Sequence, residues 1–196
     1  MGRHAKFSKR RIAAATLELV AEGGPRAATV SAIADRVGAP TGSIYHRYGS
    51  RDLLLAELWM SVVEAYQDGF VAALAGEDTL EGAVRAAQYL PRWVRSHMLE
   101  ARLLLLHRRE DFVSGTWPAE LVHRAEVLKK QMVQTVRQFC RHHFGSSKKE
   151  TLERARFALL DAPYGAVKSY VQATKKPPAI IDELVEETVR ALLKGG

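Results

Sequence analysis

The chain has 196 residues, 47% of them hydrophobic and 26% charged, which is the composition of an ordinary globular protein. No apolar run approaches the roughly 20 residues needed to span a bilayer, and the basic N-terminus lacks the apolar segment of a secretory signal. The single cysteine, Cys140, excludes an intrachain disulfide, and we expect a reducing, cytoplasmic location.

The positive charge is concentrated near the N-terminus. Residues 1–51 hold nine lysines and arginines against three acids, whereas residues 52–196 hold 20 against 19, so the first quarter carries +6 of the net +7. This excess predicts a polyanionic partner for the first quarter of the chain. A basic tail that only keeps the protein in solution would have the same charge.

Helical periodicity covers the chain, and no alternating strand pattern bounded by hairpin turns interrupts it. A first helix is predicted over about residues 8–22, ended by Gly23-Gly24-Pro25. Thr29 has the character of an N-cap for a second, amphipathic helix that stops at Gly38.

A third helix follows after a short turn. Pro40 suits its first turn, where a missing N–H costs nothing, and Gly49 ends it. Ser50 is predicted to cap a fourth helix that has Leu54 and Leu58 on its apolar face. Residues 29–48 therefore read as a helix, a short turn and a second helix.

The C-terminal part is predicted to contain longer helices, which makes the fold all-α with about nine helices in total. The expected elements are a helix from Asp78 to about His97 kinked at Pro91, a short helix from Leu99 to about Phe112, a long helix opened by Trp117-Pro118, a helix begun by a capping box at Ser147 and Glu150, and a last helix after Lys175-Lys176-Pro177-Pro178.

Enzyme signatures are missing: the sequence has no GxGxxG, no GxxxxGK[ST], no HExxH and no GxSxG. Cys140, His142 and His143 could form a metal or nucleophilic site. Because Cys140 lies next to the apolar face of its helix, a packed thiol beside two solvated histidines is the alternative. We therefore predict no enzyme activity, no cofactor and no metal.

The segment 29–48 has the pattern of a helix-turn-helix, in which the second helix enters the major groove and reads base edges. Its second helix carries hydroxyls, a glycine that lets the backbone approach DNA closely, and polar-tipped aromatic or cationic side chains: Thr41, Gly42, Ser43, Tyr45, His46, Arg47 and Tyr48. The alternative is a small polar helix that only covers a core.

The same region resembles the DNA-binding domain of the TetR (tetracycline repressor) family. The similarity lies in residues 29–38, 42–48 and 50–54, and the family's Gly-x-aliphatic-Tyr-x-x-aromatic pattern is matched at Gly42, Ile44, Tyr45 and Tyr48, with Leu54 following. The chain departs from the family at Pro40, where a capping serine is frequent, and at Arg51, where lysine is commoner. The resemblance covers about residues 8–60; beyond them only helix count and length agree.

The resemblance implies an all-helical homodimer with a DNA-binding domain over residues 1–49 and a ligand-binding and dimerisation domain over residues 50–196. Two recognition helices related by a twofold axis imply a palindromic operator with half-sites roughly one helical turn apart. Carried onto this chain, the candidate base contacts are Thr41, Ser43, His46 and Arg47, the candidate phosphate contacts are Thr29, Tyr45, Tyr48 and Arg51, and the candidate tail contacts are Arg3, Lys6, Lys9 and Arg10.

The resemblance also implies that the last two helices form a four-helix bundle with their mates in the partner subunit. The interface candidates are Phe157, Leu160, Tyr164, Gly165, Val167, Val171, Ile181, Leu184 and Leu192. A bundle helix packs on both sides, so about half of these residues are expected to be intrachain core.

A small-molecule effector is predicted to bind between the fifth helix and the helices after it and to release DNA by shifting the fourth helix. Aromatic and polarizable residues are concentrated there, with two histidines as polar anchors: Tyr66, Phe70, Tyr89, Trp93, His97, Met98, His107, Phe112, Trp117 and Met132. Each of these could instead be ordinary core. Their chemistry favours an apolar or aromatic ligand.

The predicted function is therefore a dimeric, sequence-specific transcriptional repressor, released from its DNA operator by a small apolar or aromatic ligand. One alternative is a helical interaction protein whose basic quarter binds acidic partners or a membrane surface. The other is a constitutive DNA binder without a ligand. Steep salt dependence of binding separates a DNA binder from the first alternative.

Overall fold

The computed structural model describes residues 8–76, 79–113 and 115–194. Within these ranges the chain is helical and has no strand, which confirms the predicted all-α class. None of the helices that it describes combines the length and the apolar character required to cross a membrane.

The helical segments, in chain order, are α1 (Lys9–Gly23), α2 (Val30–Val37), α3 (Thr41–Tyr48), α4 (Arg51–Leu74), α5 (Thr79–Ser96), α6 (Met98–Leu106), α7 (Ala119–Phe144), α8 (Lys149–Arg156), α9 (Ala162–Gln172) and α10 (Ile180–Leu193). A π-helical segment, Phe157–Asp161, joins α8 to α9 without a break. Counted as one rod, this stretch gives nine helices in the described ranges, as predicted.

The contacts divide the chain into two compact units. The first unit holds residues 1–63 and 99–124, and the second holds residues 64–98 and 125–196. The helices α4 and α7 contribute residues to both units. The predicted domain boundary after residue 49 is a functional one and stays a prediction.

In the first unit, α1, α2 and α3 pack around a small apolar core in which Ile12, Ile33 and Ile44 are fully buried. The predicted ends of α2 are confirmed. The Thr29 hydroxyl accepts a hydrogen bond from the Ala32 amide at 3.1 Å. Gly38 ends α2 with φ 69°, a left-handed conformation that favours glycine because it has no Cβ.

In the second unit, α5 packs against both α9 and α10. Polar contacts fix α10 beside α5: the Asp182 carboxylate accepts hydrogen bonds from Arg95 at 2.6 Å and from Arg92 at 3.1 Å. The Gln88 amide donates to the Asp182 carbonyl at 3.1 Å. Pro91 lies inside α5, whose helical assignment continues through it.

Two predicted elements differ from the structure. The apolar helix expected to reach Phe112 ends at Leu106, because Arg108 is extended and its amide donates to the Asp111 carboxylate at 2.7 Å, which starts a short 3-10 turn. The capping box at Ser147 and Glu150 is wrong.

The second difference has a local cause, because neighbouring hydroxyls satisfy the backbone ahead of α8. This helix begins at Lys149 and has no side-chain cap. The Thr151 hydroxyl donates to the Lys148 carbonyl at 2.8 Å, and the Ser146 hydroxyl accepts from the Lys148 amide at 3.3 Å. The predicted start signal at Asp78 lies outside the described residues, and α5 is described from Thr79.

Candidate nucleic-acid interface

The recognition-helix candidate α3 is anchored by two side chains. Ile44 is completely buried, and Tyr48 is 6% exposed. Thr41, Gly42, Tyr45 and His46 are exposed. The helix therefore has one narrow apolar face and leaves the rest of its polar surface to solvent or to a partner.

Neither crowding by described residues nor backbone conformation requires glycine at position 42. A Cβ added there would meet no described atom within 4 Å, and the residue has no left-handed backbone conformation that would require glycine. Glycine in a helix costs about 1 kcal/mol relative to alanine. Among the described residues, no contact therefore requires glycine at this position.

The start of α3 leaves backbone donors open to an anion. Pro40 is the N-cap, with φ −61° and ψ 142°, and provides no side-chain hydrogen bond. The Ser43 amide donates to the Pro40 carbonyl at 2.9 Å. The Thr41 and Gly42 positions, which precede it, are exposed, and first-turn amides at a helix N-terminus suit a phosphate oxygen.

The remaining α3 candidates differ in their exposure and in whether they already hold an internal hydrogen bond. Tyr45 is 51% exposed. The Arg47 guanidinium folds back and donates to the Ser43 carbonyl at 3.1 Å. Arg47 must therefore exchange or share that hydrogen bond before it can reach a base edge. The His46 side chain is exposed and would not first have to change a hydrogen bond of this kind.

Two predicted phosphate contacts are turned into the domain. Tyr48 is buried, and its hydroxyl donates to the Lys9 carbonyl at 3.0 Å. Burial, with a smaller contribution from the Glu57 carboxylate, raises the pKa of Tyr48. Arg51 donates to the carbonyls of Ala28 and Pro25. Both side chains therefore have internal acceptors in this structure, and their predicted phosphate contacts stay predictions.

The cations on the first turn of α1 are open to solvent. Lys9 and Arg10 are both exposed, and the Lys9 ammonium lies 5.0 Å from the centre of the Tyr48 ring. Arg36, in contrast, pairs with Glu18 at 3.0 Å and with Glu22 at 2.9 Å. The predicted tail contacts Arg3 and Lys6 lie outside the described residues.

Four of the effector-pocket candidates form an aromatic cluster in the second unit. The Tyr66 ring lies 5.0 Å from Trp93 and 5.5 Å from Tyr89, and His97 stacks on Trp93 at 5.6 Å. Burial, followed by the neighbouring Tyr89, raises the pKa of Tyr66. A Cβ at Gly69 would overlap the Tyr89 hydroxyl, so this glycine admits the ring.

Three other candidates belong to the first unit. His107 lies edge-on to Phe112 at 6.2 Å, and Trp117 lies edge-on to Trp59 at 5.6 Å. Trp59, which lies on α4 with the predicted Tyr66 and Phe70, is absent from the predicted set. The indole N–H groups of Trp59 and Trp117 are buried and have no hydrogen-bond partner among the described residues.

The ten pocket candidates therefore do not form one cluster. Phe70 is 0% exposed and Phe112 is 1% exposed, so both are packed core. Met98 and Met132 are half-buried in the second unit. A cleft of about 510 Å³ in the first unit is lined by His107 and Phe112, together with Arg51 and backbone of the Pro25 turn.

The interface candidates divide by burial. Val167, Val171 and Ile181 are buried in the second unit and pack as intrachain core, as the sequence analysis expected for about half of the candidates. The candidates that keep some exposure are Phe157, Leu160, Tyr164, Gly165, Leu184 and Leu192. Phe157 and Leu184 are each 49% exposed, as is Ile180, which the sequence analysis did not single out.

The cysteine–histidine group has the character of packing, not of a site. Cys140 is buried, and burial raises the pKa of its thiol. His143 is hydrogen-bonded to the Thr79 hydroxyl at 2.8 Å and to the Leu193 carbonyl at 3.0 Å. In the part of the chain that the structure describes, no group of histidine, cysteine and acidic residues could hold a metal ion.

Comparison with known proteins adds to this geometry. Residues 12–58 match the family model described as "Bacterial regulatory proteins, tetR family". This segment covers most of α1, all of α2 and α3, and the first part of α4. No curated protein sequence is similar enough to the chain to count as a relative.

Solved structures share the fold over the whole length. A TetR-like transcriptional regulator from Rhodococcus sp. RHA1 is 16% identical, with 100% of each chain covered and a TM-score of 0.73. A second transcriptional regulator from that organism is 20% identical over 96% of this chain and 97% of the other, with a TM-score of 0.69. The transcriptional regulator FadR from Bacillus subtilis, solved with stearoyl-CoA, is 16% identical over 96% and 100%, with a TM-score of 0.70.

Proposed function

We propose that this chain, whose N-terminal domain is of the TetR family and whose fold is that of TetR-family regulators, is a sequence-specific DNA-binding transcriptional repressor. The observation that carries the proposal is the exposed polar surface of α3, with a glycine at position 42 that no contact with a described residue requires. The proposed role is binding, without catalysis.

In this proposal, base recognition belongs to four residues of α3: Thr41, Ser43, His46 and Arg47. Phosphate contacts come from Thr29, whose hydroxyl keeps its own hydrogen for donation while it caps α2, and from the exposed Tyr45. Lys9 and Arg10 add positive charge beside the end of α3. Phosphate contacts position a protein on DNA, and base contacts select the sequence.

The proposed active form is a homodimer on a palindromic operator. The half-exposed apolar side chains of Phe157, Ile180 and Leu184 support a protein partner for the second unit, because they lie on the C-terminal helical segments that the family resemblance assigns to the subunit interface. A second copy of the same chain would cover them in both subunits and would place two α3 helices on one operator.

A small apolar or aromatic effector is the proposed signal for release. The Tyr66, Tyr89 and Trp93 cluster supplies aromatic surface, and His97 supplies a polar group at its edge. Since the similar FadR from Bacillus subtilis was solved with stearoyl-CoA, acyl-CoA compounds belong in the first test panel together with aromatic compounds.

Selection of bound sequences from random duplex DNA tests the proposed function. We expect an enriched palindrome. We also expect the affinity to fall steeply with added salt: in a plot of the logarithm of the binding constant against the logarithm of the salt concentration, each phosphate contact should contribute a slope of about −0.9. Binding without any enriched sequence, or binding that salt does not weaken, would rule out a sequence-specific regulator and favour a helical interaction protein.

A constitutive DNA binder without a ligand is the second candidate. Phe70, Phe112 and Trp93, three of the expected pocket residues, are at most 5% exposed and pack as core, which favours it. Titration of the protein–operator complex with the effector panel decides between the two. Release of DNA by a panel compound supports the ligand-responsive repressor, whereas unchanged operator binding across the whole panel supports the constitutive binder.

A further inference from the structure

Arg51 links the two ends of the helix-turn-helix segment. Its Nε atom donates to the Ala28 carbonyl at 2.8 Å, across 23 positions of the chain, and its Nη2 atom donates to the Pro25 carbonyl at 2.6 Å. Ala28 precedes Thr29, the cap of α2, and Arg51 is the first residue of α4, just after α3. The side chain therefore closes the segment that holds α2 and α3 into a ring.

The acceptors of these bonds need a partner. Ala28 is completely buried, and Pro25 is buried as well. The Pro25 carbonyl also accepts from the Ala28 amide at 3.3 Å, but for the Ala28 carbonyl the Arg51 guanidinium is the hydrogen-bond donor. A buried carbonyl that loses its donor is costly, so the loop ahead of α2 depends on Arg51.

The guanidinium group is suited to this position and an ammonium is not. Its third nitrogen, Nη1, donates to the Asp52 carboxylate at 3.2 Å, so all three nitrogens have protein partners. A guanidinium is a rigid fork of five donors, whereas lysine offers one compact charge on a flexible stem. Lysine would have to serve the carbonyls of Ala28 and Pro25 from a single nitrogen, whereas Arg51 uses two separate nitrogens, Nε and Nη2.

We propose that Arg51 is a positioning residue for DNA recognition: it fixes the loop before α2 to the start of α4, holds α3 in its reading position, and does not contact phosphate. This inference rests on the proposed DNA-binding function. The family that the chain resembles more often has lysine at this position. We assign Arg51 the role of holding the backbone in place by directed hydrogen bonds, and not that of supplying positive charge to DNA.

The variants Arg51→Lys and Arg51→Gln separate geometry from charge. Their affinity for the selected palindrome would be measured over a series of salt concentrations, at a temperature where circular dichroism shows full folding. We expect both to lose about tenfold in affinity with an unchanged salt slope, since Lys keeps the charge but not the pair of directed bonds. Lys9→Gln is the matched control, and its slope should fall by about 0.9.

Other results would overturn the proposal. A phosphate contact predicts that Arg51→Lys binds like the unchanged protein and that Arg51→Gln lowers the salt slope by about 0.9. A purely structural role predicts that both variants unfold more easily while the folded protein keeps its affinity and sequence preference. Either pattern would show that Arg51 does not position α3 for DNA.

A readout without DNA keeps this inference distinct from the proposed function. Hydrogen exchange at the Ala32 amide, which donates to the Thr29 cap, should accelerate in Arg51→Lys and stay unchanged in Arg36→Lys, which alters a surface ion pair between α2 and α1. Unchanged exchange in Arg51→Lys overturns the positioning role. Failure to enrich any sequence with the unchanged protein would overturn the proposed function and, with it, the DNA part of this inference.

Discussion

The hydroxyl of Tyr48 donates a hydrogen bond to the carbonyl of Lys9 at 3.0 Å, and this bond ties the last turn of α3 to the first turn of α1. The two residues are 39 positions apart in the chain. A second contact strengthens the same junction, because the Lys9 ammonium lies 5.0 Å from the centre of the Tyr48 ring. Tyr48, which the sequence analysis assigned to phosphate contact, therefore holds the end of α3 against α1.

Tyr48→Phe should lower the free energy of unfolding by about 1 kcal/mol, because it removes one hydrogen bond and keeps the ring packing. The salt slope of DNA binding should not change, since the hydroxyl already has a protein acceptor. Chemical denaturation and salt-dependent binding measure the two effects.

The matched control is Tyr45→Phe on the same helix. Tyr45 is 51% exposed, so its hydroxyl is available to a partner. We expect this variant to keep its stability and to bind DNA more weakly. If Tyr45→Phe lost stability and Tyr48→Phe lost DNA affinity, the roles given to the two tyrosines would be reversed.

Gly42→Ala should separate folding from DNA binding. The added methyl group meets no described atom within 4 Å, and alanine is the better helix former by about 1 kcal/mol, so stability should be equal or higher. Affinity for the selected palindrome should fall, because the Cβ occupies space between the α3 backbone and DNA. Thermal unfolding and operator binding are the measurements; full affinity in this variant would show that the backbone does not approach DNA closely here.

Phe157→Ser together with Leu184→Ser should shift the protein from dimer to monomer. Both side chains are 49% exposed in the single chain, and covering them in a subunit interface would bury apolar surface worth about 25 cal/mol per Å². Analytical ultracentrifugation over a range of concentrations measures the change. Val133→Ser, at a residue of α7 that is 45% exposed, is the control and should leave the dimer intact. An unchanged dimer in the double variant would place the interface elsewhere.

His107 should make the first unit less stable in acid. Burial is the main cause that lowers its pKa below 6.5; Asp111 opposes this effect and Arg102 adds to it. The folded protein then binds this proton less readily than the unfolded chain does. The stability that the neutral imidazole contributes is therefore complete above pH 6.5, and it is lost as the pH falls from there toward the lowered pKa.

Urea unfolding on both sides of pH 6.5 measures this dependence. His107→Gln should flatten it, because the replacement does not titrate in that range. The same replacement at His123, which is exposed, is the control and should keep the dependence of the unchanged protein. A His107→Gln variant with the full acid sensitivity would assign the effect to other groups.

The sequence was sufficient for features that depend on local chemistry. Periodicity identified an all-helical chain, and the cap at Thr29 and the left-handed Gly38 follow from short-range backbone requirements that any fold must meet. The helix-turn-helix was recognised because its spacing and its residue types lie within one continuous segment. The polar surface of α3 also follows from its sequence, since Ile44 is the one aliphatic residue among its eight.

Tertiary structure decided which polar groups are already used inside the protein. In the sequence, Arg51 cannot be told from Arg10, nor Tyr48 from Tyr45, because each pair has the same residue type. In the structure, however, Arg51 and Tyr48 donate to backbone carbonyls that lie 23 and 39 positions away. Such partners cannot be read from local spacing, because chain folding alone brings them together. For the same reason burial, and not helical periodicity, separated the intrachain core from the exposed apolar residues that remain for a partner.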